Sequence, residues 1–211
     1  MCYNAGIELI NPLGPQFPPL LQANAMQRPL CPVRTMESPE EWQPMRWLLV
    51  PPGTSGSTQI GRLRIWLANA RIEELENKPL YRPLVTTNRC VVRFSWFYEW
   101  RHEAGGKKRR FRISLKEERP MLLPGLYRVA AIEGTPCPTF TVCTMEAQGI
   151  MRHIHNSRLR QPVVVDEEGA AVWLDGTISL NAARAEVLSR ECSREFEPDP
   201  PLQQDLFGNL G

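Results

Sequence analysis

The sequence predicts an α+β fold: a single domain with a largely antiparallel, curved or barrel-like sheet and a few flanking helices. Segments rich in β-branched and aromatic residues fill the middle of the chain, and helical patterns come late without regular βα alternation. The 211 residues suffice for one full-sized domain, and the 42% hydrophobic and 23% charged content is ordinary for a globular protein. We therefore expect one core within residues 1–196 and a flexible tail over 197–211.

The first part of the chain is rich in proline. Between Asn11 and Pro44 prolines recur too often for a long helix to persist, which indicates an ordered but irregular arm. Within this arm the segment SPEEW (38–42) fits a short helical turn, with Ser38 as its cap and Pro39 at its first position.

Four segments in the middle of the chain have strand patterns. RCVVRFSWFYEW (89–100) and RRFRISL (109–115) flank the pair Gly105 and Gly106, which predicts a hairpin. TFTVCT (139–144) and QPVVVD (161–166) have the pattern of more buried strands. Two short helices are predicted after them, over 167–174 and 181–190, the second capped by Asn181.

The lengths of the apolar runs and the spacing of the cysteines argue against several classes of protein, whereas the net charge does not. The net charge of +2 neither requires nor excludes a nucleic-acid partner. No run approaches the ~18 apolar residues of a membrane span and no signal-peptide pattern begins the chain, so we expect a cytoplasmic protein with no membrane contact. The six cysteines are scattered without a CxxC pair, which argues against a zinc knuckle and a secreted disulfide scaffold. We expect neither a cofactor nor a metal.

The chain begins MCYN, with a cysteine directly after the initiator methionine. Methionine aminopeptidases remove Met1 when the second residue is small, and Cys2 would then carry a free α-amine beside its thiol. The amine titrates near ~8 and the thiol near ~8.5, so each is partly nucleophilic at neutral pH. The alternative is an ordinary frayed terminus.

Three further stretches contain polar groups suited to chemistry, and each also has a simpler interpretation. Asn69 precedes RIEELE and is either a site residue or a helix cap. Glu99 in FYEW either faces solvent in an alternating strand or turns inward, where its aromatic surroundings would raise its pKa towards that of a general acid or base. His155 in MRHIHNSR is either a site residue or a surface histidine. HxH also suggests a metal, but no third ligand follows at a suitable spacing.

The order of these positions resembles the SOS-response-associated peptidase family. The shared features are MC at the start, NAR followed by Glu, RCVV and FYEW in one segment, and a Thr-rich strand leading to IHN and then PVVV. MRWLLVPP (45–52) also looks like a segment of that family, with Leu48 where glycine is usual. The ordered set runs from Cys2 to near Val165.

The resemblance implies a DNA-repair protein that crosslinks abasic sites in single-stranded DNA through Cys2 after removal of Met1. It implies Cys2 as the nucleophile and Asn69 as a positioning group near the α-amine. Glu99 would be the acid/base, and His155 a second proton-transfer and orienting group. Two other functions stay open: a thiol autopeptidase that only removes Met1, and a non-catalytic single-strand binder.

A DNA-binding role also requires phosphate and base contacts. The candidates are Arg71, Arg158 and Arg160 for phosphates and Trp47 and Trp100 for base stacking. The basic run GGKKRRFR (105–112) is either a solvated hairpin tip or a contact to the DNA backbone.

The chain departs from the family pattern in three places. Tyr3 and Asn4 stand where Gly-Arg is common, so one expected phosphate contact is missing. IHNSRLRQPV looks about three residues longer than the usual link, which leaves the choice between Arg158 and Arg160 open. FSWFYEW replaces the common Ala-Asp-Gly before the aromatic pair.

The tail contains QQDLF (203–207), which resembles the peptide by which bacterial DNA-repair and replication proteins bind the sliding clamp. The residues concerned are Gln203, Asp205, Leu206 and Phe207. The alternative is a sticky disordered end. The expected partners are therefore single-stranded DNA with abasic sites and, through this peptide, the clamp. Nothing in the sequence indicates a homo-oligomer, so a monomer is expected.

Overall fold

Twelve strands and four α-helices form the regular structure of residues 3–8, 17 and 19–201, the part of the chain that the computed structural model describes. The strands are β1 (Asn4–Ile7), β2 (Leu20–Asn24), β3 (Leu30–Thr35), β4 (Gln43–Trp47), β5 (Asn69–Arg71), β6 (Arg89–Phe94), β7 (Trp96–His102), β8 (Lys108–Leu115), β9 (Met121–Ile132), β10 (Thr135–Glu146), β11 (Arg160–Pro162) and β12 (Phe196–Asp199). The helices are α1 (Ser57–Gly61), α2 (Gly149–Ile154), α3 (Glu167–Leu174) and α4 (Leu180–Ser189). Short 3₁₀ helices span Ala25–Gln27, Ile65–Ala68, Ile72–Asn77, Ala104–Gly106, Lys116–Glu118 and Ser193–Glu195.

Five strands close into a mixed barrel. Their order is β10, β4, β3, β6 and β9, and β9 pairs back onto β10. The β4–β10 pair is parallel and the other pairs of the ring are antiparallel. β5 and β11 add to β10 outside the ring. The predicted α+β class with a barrel-like sheet is therefore confirmed.

A second sheet has the order β12, β8, β7, β1 and β2 and is antiparallel throughout. The predicted hairpin is its β7–β8 pair, with Gly105 and Gly106 at positive φ in the turn. β12 pairs with β8 as far as Asp199, so residues 197–199, predicted as the start of the tail, lie in the sheet.

The two sheets share one stretch of chain. The predicted strand over 89–100 is broken at Ser95, so that β6 belongs to the barrel and β7 to the second sheet. Ser95 is tied to the chain around β1: its N–H donates to the Gly6 carbonyl (2.8 Å), and its Oγ accepts from the Glu8 N–H (3.0 Å). A single hydrophobic core extends across this break and contains aromatic side chains of both sheets. These include Trp47, Phe94, Phe97, Phe111 and Phe140.

The β1 strand needs its glycine. A Cβ on Gly6 would lie 2.1 Å from Cε2 of Trp96, its register partner on β7. The indole ring therefore lies directly against the β1 backbone, and no other residue type fits there without displacing it. This contact fixes where the amino-terminal segment crosses the second sheet.

The proline-rich arm is more regular than predicted. Residues 20–24, 30–35 and 43–47 form β2, β3 and β4, and Pro32 and Pro44 are register partners. The segment SPEEW forms bends rather than a helical turn. The local proline content misled the prediction because pairing with distant strands, β6 for β3 and β10 for β4, stabilises these segments.

Leu48 has φ = 93°, a backbone conformation that favours glycine. Its N–H donates to the Phe140 carbonyl (3.0 Å) and its side chain is 1% exposed. The family that the sequence resembles has glycine at this position, and the backbone here keeps a conformation typical of glycine. Burial of the leucine side chain offsets the conformational cost of the positive φ.

The late helices are close to their predicted positions. α3 spans the predicted residues, and Asp166 caps it by accepting from the Gly169 N–H (2.7 Å). α4 begins at Leu180 and is capped by Ser179, so the predicted cap Asn181 lies inside the helix. The buried strand predicted over 161–166 forms a ladder only over Arg160–Pro162. No helix in the described ranges is long and apolar enough to cross a membrane.

Candidate active site

An open cleft of about 720 Å³ lies at the end of β7 and beside the segment that follows α2. Its wall carries two of the predicted site residues, Glu99 and His155, and two of the predicted DNA contacts, Trp100 and Arg158. Among the described residues, the lining consists of Tyr3, Ile65, Glu99, Trp100, His102, Lys108, His155, Ser157 and Arg158.

Glu99 is turned inward. It is 3% exposed and pairs across the sheet with buried Phe111, on the same face of β7 as Phe97. Its Oε2 accepts from the Trp100 N–H at 3.4 Å. The solvent-facing interpretation of this carboxyl is therefore wrong, and a titratable group lies at the base of the cleft.

His155 is the C-cap of α2 and is 5% exposed, whereas His153 on the same helix is exposed. Its Nδ1 lies 2.6 Å from the Arg160 carbonyl oxygen and 3.8 Å from Oε1 of Glu99. A carbonyl oxygen can only accept, so Nδ1 carries the proton and Nε2 is the basic nitrogen of the neutral ring. Burial lowers the pKa of His155, although the Glu99 carboxylate opposes that shift.

We expect His155 to titrate below its ordinary value of 6.5, with the Nδ1–H tautomer as its neutral form. The unfolded state then binds a proton more readily than the folded state, so this group makes the free energy of unfolding fall as the pH drops below about 6.5. Nitrogen-15 NMR of the imidazoles reports both properties, and a His155→Asn variant identifies the signal. An Nε2–H neutral form, or a midpoint above 6.5, would contradict this assignment.

Arg160 binds Glu73 with its guanidinium, and its backbone carbonyl contacts the His155 ring. Its guanidinium donates to both carboxylate oxygens of Glu73 (2.9 Å each) and to the Thr144 carbonyl (2.7 Å), and its side chain is only 13% exposed. Burial alone would raise the pKa of Glu73, but the hydrogen bonds and charge of Arg160 lower it. The backbone carbonyl that orients the imidazole is thereby fixed, a function that no sequence motif marks.

The loop after His155 is held against β7. The side-chain amide of Asn156 accepts from the His102 N–H (3.0 Å) and donates to the His102 carbonyl (2.9 Å), which mimics a strand partner. Arg158 follows on the exposed side of this loop and lines the cleft. Of the two arginines considered, Arg158 is therefore the one that faces the cleft.

Tyr3 forms part of the cleft wall. Its ring stacks on Trp100, with centroids 6.2 Å apart and an interplanar angle of 10°. Burial and the nearby Glu99 charge raise the pKa of the phenol. Asn4 is 3% exposed and accepts a hydrogen bond from the Asn24 amide (2.9 Å). Neither side chain carries the positive charge of the usual arginine; Tyr3 attaches the amino-terminal segment at the cleft, and Asn4 attaches it to β2.

A second cavity of about 730 Å³ is lined by two more of the predicted residues, Asn69 and Arg71. Ile65 lines the first cavity and the adjacent Trp66 lines the second. The two cavities therefore lie on either side of the 3₁₀ helix Ile65–Ala68. Trp66 is 51% exposed and was missed in the sequence. The remaining lining residues are Glu74, Lys78, Pro79, Leu80 and Tyr81.

Asn69 does not cap the 3₁₀ helix Ile72–Asn77 that RIEELE begins, whose N-cap is Arg71; it is the C-cap of the preceding 3₁₀ helix, Ile65–Ala68. It is the first residue of β5, pairs with Val142 of β10 and is 6% exposed. Its backbone carbonyl accepts from the Tyr81 hydroxyl (3.2 Å), and neither polar atom of its side chain has a hydrogen-bond partner within the described residues. Because a buried amide normally finds partners, this side chain in the cavity lining is a candidate contact for a group that binds there. Arg71 is half-exposed and donates to Glu74 (2.9 Å).

Trp47 cannot stack on DNA bases, contrary to the prediction. It is fully buried, packs against Phe94 and Phe140, and donates its indole N–H to the Ala68 carbonyl (3.2 Å). Cys2 and the four tail residues Gln203, Asp205, Leu206 and Phe207 lie outside the described residues. Their predicted roles stay predictions.

The fold and the cleft define a class of single-domain α+β proteins in which a mixed five-strand barrel and an antiparallel sheet hold a buried carboxyl and imidazole beside an open cleft. The profile of the family SOS response associated peptidase (SRAP) matches residues 16–200, and the chain belongs to this family. The matched range begins after Cys2.

The relatives include two bacterial proteins named for abasic sites. The abasic site processing protein YoqW of Bacillus subtilis (strain 168) is 34% identical over 132 residues, which are 62% of this chain and 56% of that protein. The abasic site processing protein YedK of Escherichia coli (strain K12) is 27% identical over 126 residues, 60% of this chain and 54% of that one. The chain thus spans just over half the length of these curated relatives.

Solved structures agree with the fold. A protein from Bacteroides thetaiotaomicron superposes with a TM-score of 0.71 at 26% identity, over 84% of this chain and 75% of that one. A protein from Bordetella bronchiseptica reaches a TM-score of 0.75 at 17% identity, over 93% and 98% of the two chains, which shows the fold alone.

Proposed function

We propose that this protein acts on abasic sites in single-stranded DNA and crosslinks to them through Cys2 after removal of Met1. The names of its relatives point to abasic-site processing. The observation that carries the proposal is that Tyr3 lines the same cleft as Glu99 and His155. Cys2 is bonded to Tyr3, and consecutive Cα atoms are about 3.8 Å apart.

The other cysteines, all within the described residues, are either buried or away from the cleft. Cys31, Cys90 and Cys143 are fully buried, and burial raises the pKa of each thiol. Burial raises the pKa of Cys192 to about 11. Cys137 is half-buried and does not line the cleft. A thiol that reacts at the cleft is therefore best supplied by Cys2.

The chemistry uses both groups of an amino-terminal cysteine. An abasic site interconverts between a cyclic hemiacetal and an open aldehyde. The α-amine attacks the aldehyde carbon and water leaves, which gives an imine. The thiolate then adds to the same carbon and the imine nitrogen takes up a proton, which closes a five-membered thiazolidine. An internal cysteine lacks the amine and cannot form this ring.

Glu99 and His155 supply the proton transfers. A carboxyl beside the sugar can protonate the ring oxygen as the hemiacetal opens, and the same carboxylate can take a proton back later. The neutral His155 ring offers its basic Nε2 as a second acceptor, because Nδ1–H is held by the Arg160 carbonyl. Their separation of 3.8 Å allows both to serve one reacting site.

The DNA contacts are distributed over the two cavities. Arg158 and Trp100 would hold the strand at the first cavity, and Arg71 and Trp66 at the second. Asn69 would contribute its side-chain amide at the second cavity, on the strand that follows the separating helix. Trp66 replaces Trp47 as the second stacking surface.

The proposal predicts a covalent product that survives denaturation. Wild-type protein incubated with a single-stranded oligonucleotide containing one abasic site should give a heat-stable shifted band. The same oligonucleotide with an intact base should give none, because it has no aldehyde. Intact-mass measurement beforehand establishes that Met1 is absent. A protein lacking Met1 that leaves the abasic oligonucleotide free would overturn the proposal.

A further inference from the structure

The outer side of the β7–β8 hairpin carries aromatic and cationic side chains in register. Tyr98 pairs with Arg112, Trp100 with Arg110, and His102 with Lys108. The residues between them, such as Phe97, Glu99 and Phe111, are buried, so the pairs project from the opposite face of the sheet. Rings therefore lie along β7 and positive charges along β8.

Two of the arginines lie over aromatic rings. The Arg110 guanidinium carbon is 5.0 Å from the centroid of the Tyr98 ring, and that of Arg112 is 4.3 Å from the Trp96 ring. A guanidinium held over a ring by cation–π attraction still has N–H groups that can donate hydrogen bonds to a phosphate. Guanidinium groups fixed in this way lose less rotamer freedom when they bind phosphate.

Most of this positive charge is not neutralised. Arg112 lies 3.7 Å from Glu118, which is itself 72% exposed, and opposite Asp199 of β12. Arg110 and Lys108 have no ion pair among the described residues. A local excess of cations thus stands on a chain whose net charge is only +2.

The outer side of the hairpin is continuous with the cleft, because Trp100, His102 and Lys108 belong to both. Arg110 and Arg112 lie further along β8 from Lys108, beyond the cleft wall. A DNA strand that occupies the cleft would therefore contact Lys108 at the cleft edge, and it would contact Arg110 and Arg112 where it extends beyond the cleft.

We propose that the hairpin face, defined as Tyr98, Arg110 and Arg112, binds the phosphate backbone of single-stranded DNA outside the cleft. The inference rests on the proposed function insofar as the cleft itself takes single-stranded DNA. A solvated hairpin tip would explain the exposed turn at 103–107, but Arg110 and Arg112 are strand residues held on rings. The proposed DNA-binding site is therefore longer than the cleft alone.

The test compares undamaged oligo(dT) of about 20 and about 6 nucleotides, because single-strand sites in OB folds span roughly 4–16 nucleotides and the two lengths bracket most of that range. The double variant Arg110→Ala/Arg112→Ala should bind the long oligonucleotide roughly 10-fold more weakly at low salt. Its slope of log K against log salt should be smaller by about 1.4, or about 0.7 for each phosphate that the variant no longer neutralises. The short oligonucleotide should bind as it does to wild type.

Arg194→Ala is the matched control, since it removes one exposed arginine on the 3₁₀ helix at 193–195, outside the hairpin. Double-variant binding equal to wild type and to this control, with the same salt slope, would overturn the inference. Undamaged DNA has no aldehyde, so the assay is independent of crosslinking. If the protein crosslinks abasic DNA but the double variant binds the long oligonucleotide like wild type, only this inference is wrong. If the protein forms no crosslink but the double variant binds the long oligonucleotide more weakly, only the proposed function is wrong.

Discussion

Cys2→Ala is expected to abolish the heat-stable crosslink to abasic DNA. Alanine is also small, so Met1 is still removed and the free α-amine remains. The amine can still form an imine with the aldehyde, but no sulfur closes the ring. An unclosed imine permits β-elimination, so the variant should nick the abasic strand while forming no stable adduct. A denaturing gel reports both products, and borohydride reduction should trap the transient imine.

The matched control is Cys137→Ala, which removes a half-buried thiol away from the cleft and should crosslink like wild type. A second variant keeps the Cys2 thiol but adds a short uncleaved extension before it, which turns the α-amine into an amide. This variant should form no stable adduct either. A heat-stable crosslink from Cys2→Ala or from the extended protein would show that the thiazolidine mechanism is wrong.

The sequence predicted the strand that carries Glu99 but not the direction of its side chain. FYEW has aromatic residues on both sides of the carboxyl, so alternation alone does not reveal which face is buried. Which face of β7 is buried depends on its pairing with β1 and β8 and on the packing of the sheet that they form. The family motifs supplied the inward orientation that local pattern could not.

The two tryptophans show the same limit. Trp47 and Trp66 both lie in apolar segments, MRWLLV and RIWLA, and nothing local distinguishes a buried indole from an exposed one. Trp47 lies on a barrel strand and faces the shared core, whereas Trp66 lies on a 3₁₀ helix between two cavities. Burial depended on long-range packing, and the stacking role was therefore given to the wrong residue.

Helices with local caps were predicted best. α3 has a capping aspartate followed by two glutamates in its first turn, and the predicted bounds hold. The proline-rich strands β3 and β4 were missed, because their stability comes from closing the barrel rather than from propensity. Local signals thus located the elements that are stable on local grounds, and the barrel required tertiary information.

Glu99→Gln is expected to lower the rate of crosslink formation by about 10²-fold or more, the usual contribution of a general acid or base. Glutamine keeps the size of the side chain and can still accept from the Trp100 N–H, but it cannot donate or take a proton at the sugar. Binding of undamaged single-stranded DNA should stay equal or become slightly tighter, because a negative charge leaves the cleft. Crosslinking time courses with excess protein separate the two effects.

Glu103→Gln is the control for loss of one carboxylate, since it lies exposed in the turn of the same hairpin. It should leave the crosslinking rate unchanged. If Glu99→Gln slows crosslinking only at subsaturating protein, the carboxyl acts through binding and not through proton transfer. If the rate falls at saturation with wild-type DNA affinity and an unchanged melting temperature, the loss lies in the chemical step. That result follows from a carboxyl that is 3% exposed, 3.8 Å from the His155 ring, and on the wall of the cleft that Tyr3 shares.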